Sequence, residues 1–167
     1  KRLFGNGLLL PAGPLREGQW RLEKSDLVIY NGGVSVSHNN TFESIAMTLK
    51  AKELCNLRTG EYLTLSDFIN SHGSVNAIAG IGAPQRFFDT LESNHSVIDK
   101  QQSFVDHHSF TLTDFIEFDD NIPLLMTEKD AVKCRDFCKD NWWYLPVDAT
   151  FTLAEQQVLR NKIKAAI

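Results

Sequence analysis

The chain has 167 residues, enough for one domain with a substantial core. Hydrophobic residues make up 43% and charged residues 23%, the balance of an ordinary globular protein. The formal net charge of -4 gives no ground for a nucleic-acid partner, and no apolar run approaches the roughly 20 residues that span a bilayer.

The first 24 residues differ locally, with Lys1, Arg2, Arg16, Arg21 and Lys24 against only Glu17 and Glu23. Such a start suits an anionic ligand as well as a solvated surface. The Gly- and Pro-rich stretch Gly5 to Gly18 reads as a connector. "SDLVIYNGG" predicts a buried strand closed by Gly32 and Gly33. In "FESIAMTLKAKELCNL", Ile45, Met47, Leu49 and Ala51 alternate with polar residues, which favours strand over helix. "TLSDFINSHG" predicts a short helix capped by Ser66 and stopped by Gly73. "VNAIAGIG" is a buried strand, and Pro84 opens the helix "PQRFFDTLESN".

The alternation continues. "SFVDHH" is strand-like, "TLTDFIEF" a short helix and "IPLLM" a strand. "TEKDAVKCRDFCKD" is a helix capped by Thr127, "WWYLPVDA" a strand, and "LAEQQVLRNKIKAAI" a closing amphipathic helix. Strand and helix alternate about five times, which predicts an α/β fold with a mostly parallel sheet and helices on both faces. Cys55, Cys134 and Cys138 form no disulfide framework, so a reducing compartment is expected, and the last two read as helix packing. The chain opens on Lys1, so it is expected to be part of a longer protein.

Ligands of such folds gather at the carboxyl ends of strands. Three suggestive clusters fall there: "GIGAPQRF", "DHH" and "TEKD". The first sets glycines before a helix start, with Arg86 in the first turn, but lacks the lysine of a P-loop and reads better as a tight strand-to-helix turn. In the second, Asp106 beside two histidines supports proton transfer. A polar strand end is the structural alternative. On a strand, His107 and His108 point to opposite faces and do not easily serve one metal. In the third, Glu128 and Asp130 suit the helix dipole. In "GPLRE", Arg16 follows a rigid Gly13-Pro14 turn, and arginine binds phosphate in bidentate fashion.

"FGNGLLLPAGPLRE", "VIYNGG", "AIAGIGAPQRFFDTLES", "FVDHHSF" and "LLMTEKDAVKC", in this order, resemble the tetraacyldisaccharide 4'-kinase family from about Phe4 to Asp148. The resemblance implies an ATP- and Mg²⁺-dependent kinase of the lipid A disaccharide precursor. It also implies a peripheral enzyme on the cytoplasmic face of the bacterial inner membrane, with two α/β domains. The chain would be the Rossmann-like second domain of that P-loop kinase. It holds no G-x-x-x-x-G-K-[ST], and "FDDN" at Phe118 is not the family's Asp-Asp-Gly segment; both motifs belong to the family's upstream half. That half would also carry the membrane contact. The implied organisation is a connector and active-site loop at 1–18, an α/β domain at 19–150, and a helix at 151–167 returning to the absent domain. By resemblance, His107 activates the acceptor hydroxyl with Asp106 as its neighbour. Arg16 neutralises the transferring phosphoryl group, Glu17 holds Mg²⁺, and Lys129 and Asp130 join the cofactor-binding set. A metal-dependent phosphoesterase built on Asp-His-His, for which His38, His72 and His95 do not stand in convincing positions, and a non-catalytic binding module are the alternatives.

Overall fold

The computed structural model describes residues 4–32 and 42–166. Lys1, Arg2, His38 and Gly33, with the turn expected there, lie outside the described residues. In chain order the strands and helices are β1 (Val28–Asn31), β2 (Ser44–Ala51), β3 (Leu54–Asn56), β4 (Tyr62–Leu63), α1 (Leu65–His72), β5 (Ser74–Ala79), α2 (Gln85–Ser93), β6 (Val97–Ser103), β7 (Leu124–Thr127), α3 (Glu128–Cys134), β8 (Trp142–Leu145), β9 (Val147–Thr150) and α4 (Leu153–Ala165). Short 3-10 turns lie at Gln19–Lys24, Leu112–Phe115 and Arg135–Phe137.

These elements fall into two compact units, Lys1–Leu49 with Ala149–Ile167, and Lys50–Asp148. The boundaries differ from the segments read in the sequence, because residues 19–49 group with the terminal helix and not with 50–148.

The 50–148 unit carries a six-stranded sheet in the order β4-β3-β8-β7-β5-β6. β6, β5, β7 and β8 are mutually parallel, while β3 runs antiparallel to both β8 and β4. Side-chain alternation divides its core into two layers. Val75, Ala77 and Ala79 of β5, Leu125 of β7 and Trp143 of β8 pack with Phe68 of α1 and with Phe87, Phe88 and Leu91 of α2. Ile78, Leu124, Met126 and Trp142 face the other way, onto Phe115, Phe118 and Ala131 and Cys134 of α3. Helices on both faces explain why β5 and β7 are nearly continuous apolar runs. A fully buried phenylalanine such as Phe68 contributes about 2 kcal/mol by removal from water.

Several local expectations shift. Thr64, not Ser66, caps α1, accepting from the Asp67 N–H at 3.1 Å. The α1 stop at Gly73 stands, with a φ of 74° that favours glycine. Pro84 is already helical at φ -62° and immediately precedes α2. "TLTDFIEF" makes only a 3-10 turn, and the helix after Thr127 ends at Cys134. "WWYLPVDA" is two strands in two sheets. Pro146 interrupts it because proline has no N–H for a ladder.

In the other unit, β1 pairs with β2 in parallel, in a sheet ordered β1-β2-β9. β1 is half-buried and not buried as expected, with Ile29 44% exposed. α4 opens on a reciprocal cap: Glu155 accepts from the Thr152 N–H at 2.8 Å, and Thr152 Oγ1 accepts from the Glu155 N–H at 3.3 Å. The loop of residues 4–18 bonds to itself. Leu10 N–H donates to the Leu15 carbonyl, Leu15 N–H to Leu8, and Gly13 N–H to Leu9.

Candidate active site at the carboxyl ends of the parallel strands

After β5 the chain crosses to β6 on one side of it, and later returns as β7 on the other. Such a reversal opens a crevice beyond the carboxyl ends of the two central strands. Three segments leave the sheet there: Gly80–Pro84 after β5, Asp106–His108 after β6, and Thr127–Asp130 after β7.

The Asp-His-His segment is not on a strand. β6 stops at Ser103, and Phe104 N–H makes a bond of 2.9 Å to Ala79. The chain then turns, closed by His108 N–H donating to the Val105 carbonyl at 3.1 Å. His107 sits in the left-handed region at φ 64°. A non-glycine residue there is uncommon and is found most often in turns and at functional sites. The two rings do separate, as expected, but the turn separates them and strand alternation does not.

Their surroundings are opposite. The His107 side chain is 79% exposed, with Nε2 3.8 Å from Asp106 Oδ2. His108 stacks on Phe104 with ring centroids 4.7 Å apart and meets Phe110 edge-on at 4.9 Å. Its Nε2 lies 3.2 Å from Asp114 Oδ2, an ion-pair distance without hydrogen-bond alignment. Asp114 also accepts from the Thr111 N–H at 2.8 Å, closing a reciprocal cap. Burial pushes the Asp114 carboxyl up, and the Thr111 bonds with the His108 ring alongside outweigh it and hold it below its usual value.

Asp106 is held from a second element. Lys129 Nζ donates to its Oδ1 at 2.6 Å, and the His107 N–H donates to the same oxygen at 3.1 Å. The Lys129 bond holds the Asp106 carboxyl below its usual value. Gly82 lies alongside, where a Cβ would stand 3.9 Å from Asp106 Oδ2.

Asp130, expected among cofactor-binding residues, is fully buried and used inside the fold. Oδ2 accepts from the Gly80 N–H at 2.8 Å and from Thr127 Oγ1 at 2.7 Å, and Oδ1 faces Lys133 Nζ at 3.4 Å. A buried carboxylate so satisfied is a tie between strand ends, with no oxygen turned outward for a ligand. Gly80 permits the approach, since a Cβ there would meet Asp130 Oδ1 at 2.9 Å.

Arg16 and Glu17 belong to the other unit. Both are exposed. Glu17 pairs with Arg21 at 3.1 Å, whereas Arg16 has no ion pair among the described residues. Arg86 lies exposed in the first turn of α2. Cys134 and Cys138 are buried free thiols, as packing predicts, and burial pushes Cys134 up to about 12. Among the described residues no three His, Cys, Asp or Glu side chains converge to hold a metal ion. His72 faces the Phe68 carbonyl at 2.9 Å and stacks on the Phe68 ring. Among the described residues the phosphoesterase alternative therefore lacks its ligand set. Sequence reasoning missed the partners Asp114 and Thr111, whose signal was the T-x-x-D spacing of a cap.

The family model for tetraacyldisaccharide-1-P 4'-kinase, LpxK, matches residues 1–167. The chain belongs to this family. A tetraacyldisaccharide 4'-kinase of Colwellia psychrerythraea is 67% identical over 168 residues, covering 100% of this chain and 49% of that protein. One from Psychromonas ingrahamii is 51% identical, covering 98% of the chain and 48% of the relative. The chain thus spans about half the length of the curated tetraacyldisaccharide 4'-kinases it matches. The crystal structure of Aquifex aeolicus LpxK, described as an "apo" form in complex with ATP, shares the fold, with a TM-score of 0.66 and 22% identity. It covers 96% of this chain and 48% of that one.

Proposed function

We propose that this chain is the acceptor-activating half of a kinase. The intact protein transfers the γ-phosphoryl group of ATP to the 4'-hydroxyl of tetraacyldisaccharide 1-phosphate, a lipid A precursor. The observation that carries the reading is His107, an exposed imidazole beside Asp106 at the strand ends of a member of the 4'-kinase family. The acceptor oxygen attacks the γ-phosphorus, its proton passes to the His107 ring, and ADP departs with the former bridging oxygen. Asp106 stabilises the imidazolium so formed. Arg16 neutralises charge on the transferring group, where catalysis is mainly electrostatics and positioning.

The phosphates of ATP need a P-loop, which the 167 residues do not contain. The remaining half of the relatives' length supplies it in this reading, and α4 packs back onto that half. Leu153 and Ile163 of α4, 85% and 53% exposed, suit such a contact. The described residues do not form a magnesium site, because Glu17 is paired with Arg21 and no cluster of ligands surrounds it. Mg²⁺ would then be held by nucleotide phosphates and carboxylates of the other half. The enzyme works at the cytoplasmic face of the inner membrane, with its membrane contact also in that half.

The test is phosphoryl transfer from labelled ATP to tetraacyldisaccharide 1-phosphate by the full-length protein, with and without EDTA. Transfer that is lost on chelation and restored by Mg²⁺ is expected, and the 167-residue chain alone should give none. A folded full-length protein that leaves this acceptor untouched, or turnover by the chain alone, sinks the reading.

A further inference from the structure

Lys129 stands where a helix does not favour it. It occupies the first turn of α3, at the positive end of the helix dipole, between Glu128 and Asp130. Its ammonium crosses to a loop 23 residues away in sequence, meeting Asp106 Oδ1 at 2.6 Å. That oxygen also takes the His107 N–H at 3.1 Å, which leaves Oδ2 as the oxygen facing the His107 ring, 3.8 Å from Nε2.

We propose that Lys129 is a positioning residue, which occupies Asp106 Oδ1 so that Oδ2 is presented to the imidazole of His107. A carboxylate rotates about its terminal bond over a broad range unless one oxygen is fixed. With Oδ1 fixed by two donors from different elements, Oδ2 has one direction. At 3.8 Å it acts on His107 Nε2 by charge and not through a formed hydrogen bond, which favours the tautomer with the proton on that nitrogen and leaves Nδ1 as the free acceptor. The His107 backbone, at φ 64°, sets the direction in which its side chain leaves the loop. The titratable groups facing Asp106 are Lys129 from α3 and His107 from its own loop. His108 is turned to Asp114, and Asp130 and Lys133 face each other. The role in turnover rests on the proton-transfer reading of His107, but the geometry does not.

The experiment compares Lys129→Met and Lys129→Arg in two measurements. In the 167-residue chain, NMR follows the Asp106 carboxyl titration and the ring nitrogens of His107. In the full-length protein, kcat, KM for ATP and the pH profile of kcat are measured. Lys129→Met should move the Asp106 titration up toward the ordinary carboxylate range and abolish the Nε2–H preference of His107. In turnover it should lower kcat by about 10- to 100-fold, the scale of a misplaced group. The KM for ATP should stay within about twofold, and the acid limb should move to higher pH. Lys129→Arg should recover most of each signal, since its guanidinium also donates to a carboxylate. Unchanged Asp106 and His107 spectra in a folded Lys129→Met chain overturn the proposal. So does a rise in the KM for ATP that dominates the loss, which would make Lys129 a nucleotide ligand. If the spectra move as expected but kcat does not, positioning stands and the proton-transfer reading of His107 is the part that fails.

Discussion

At the scale of single residues, His107 and His108 are neighbours with unlike work. His107 is exposed and left-handed, and His108 is set among Phe104, Phe110 and Asp114. His107→Gly in the full-length protein is expected to lower kcat by about 10²- to 10⁴-fold, the range for lost acid–base help. Its stability should stay within roughly 0.5 kcal/mol of the parent, because glycine relieves the left-handed backbone while loosening the unfolded chain. His108→Ala should do the reverse, costing about 2 kcal/mol in urea unfolding with kcat nearly kept, because stacking is lost and Asp114 loses its neighbour. An exchange of these two phenotypes would contradict the assignment. Arg16→Ala tests the other named role. An electrostatic stabiliser of the transition state is worth about 10²-fold in rate, so unchanged kinetics of a folded variant would remove Arg16 from the site.

At the scale of elements, Asp130 joins the end of β5 to the start of α3 through Gly80, Thr127 and Lys133. Asp130→Ala leaves the Gly80 N–H without this acceptor and Lys133 without its counter-charge. About 3 kcal/mol of stability should be lost, with the Gly80–Pro84 loop amides exchanging faster with solvent. A loss under about 1 kcal/mol would show that the tie is replaceable. At α4, Thr152→Ala removes a side-chain cap and should cost about 1 kcal/mol in thermal unfolding. The missing cap would show as fraying of the first turn, which exchange at the Glu155 amide reports.

At the scale of the molecule, several carboxylates titrate below their usual values. Lys100 lowers Glu117, the Asn121 N–H lowers Asp119, and the Thr152 N–H lowers Glu155, together with Lys129 on Asp106. Each is depressed in the folded chain relative to the unfolded one. Their stabilisation is therefore complete above about pH 5, where the unfolded carboxylates are ionised, and is lost as pH falls through the folded values. Urea midpoints should hold nearly constant from about pH 7 to 5 and then drop toward pH 3. The Lys100–Glu117 part should weaken in added salt, because that pair is exposed. A midpoint that rises on acidification would contradict the linkage.

The sequence by itself determined the alternation of strands and helices, the caps at Thr127 and Gly73, and the three clusters at strand ends. These follow from turn chemistry and from apolar periods that read out within a few residues. The order and number of the family's motifs also marked the chain as one of its members, since five stretches in register leave little freedom. Tertiary structure alone decided the rest. It ended β6 before Asp106, because the Ala79 carbonyl is the last ladder partner there and the chain then turns away. It split the strand at Pro146 between two sheets, because where a strand pairs depends on neighbours far along the chain. It also gave Lys129 to Asp106 and Asp130 to Gly80, contacts between segments 23 and 50 residues apart that no local pattern records. Propensity acts over one turn of chain, whereas a buried carboxylate finds its partners only where strand ends converge.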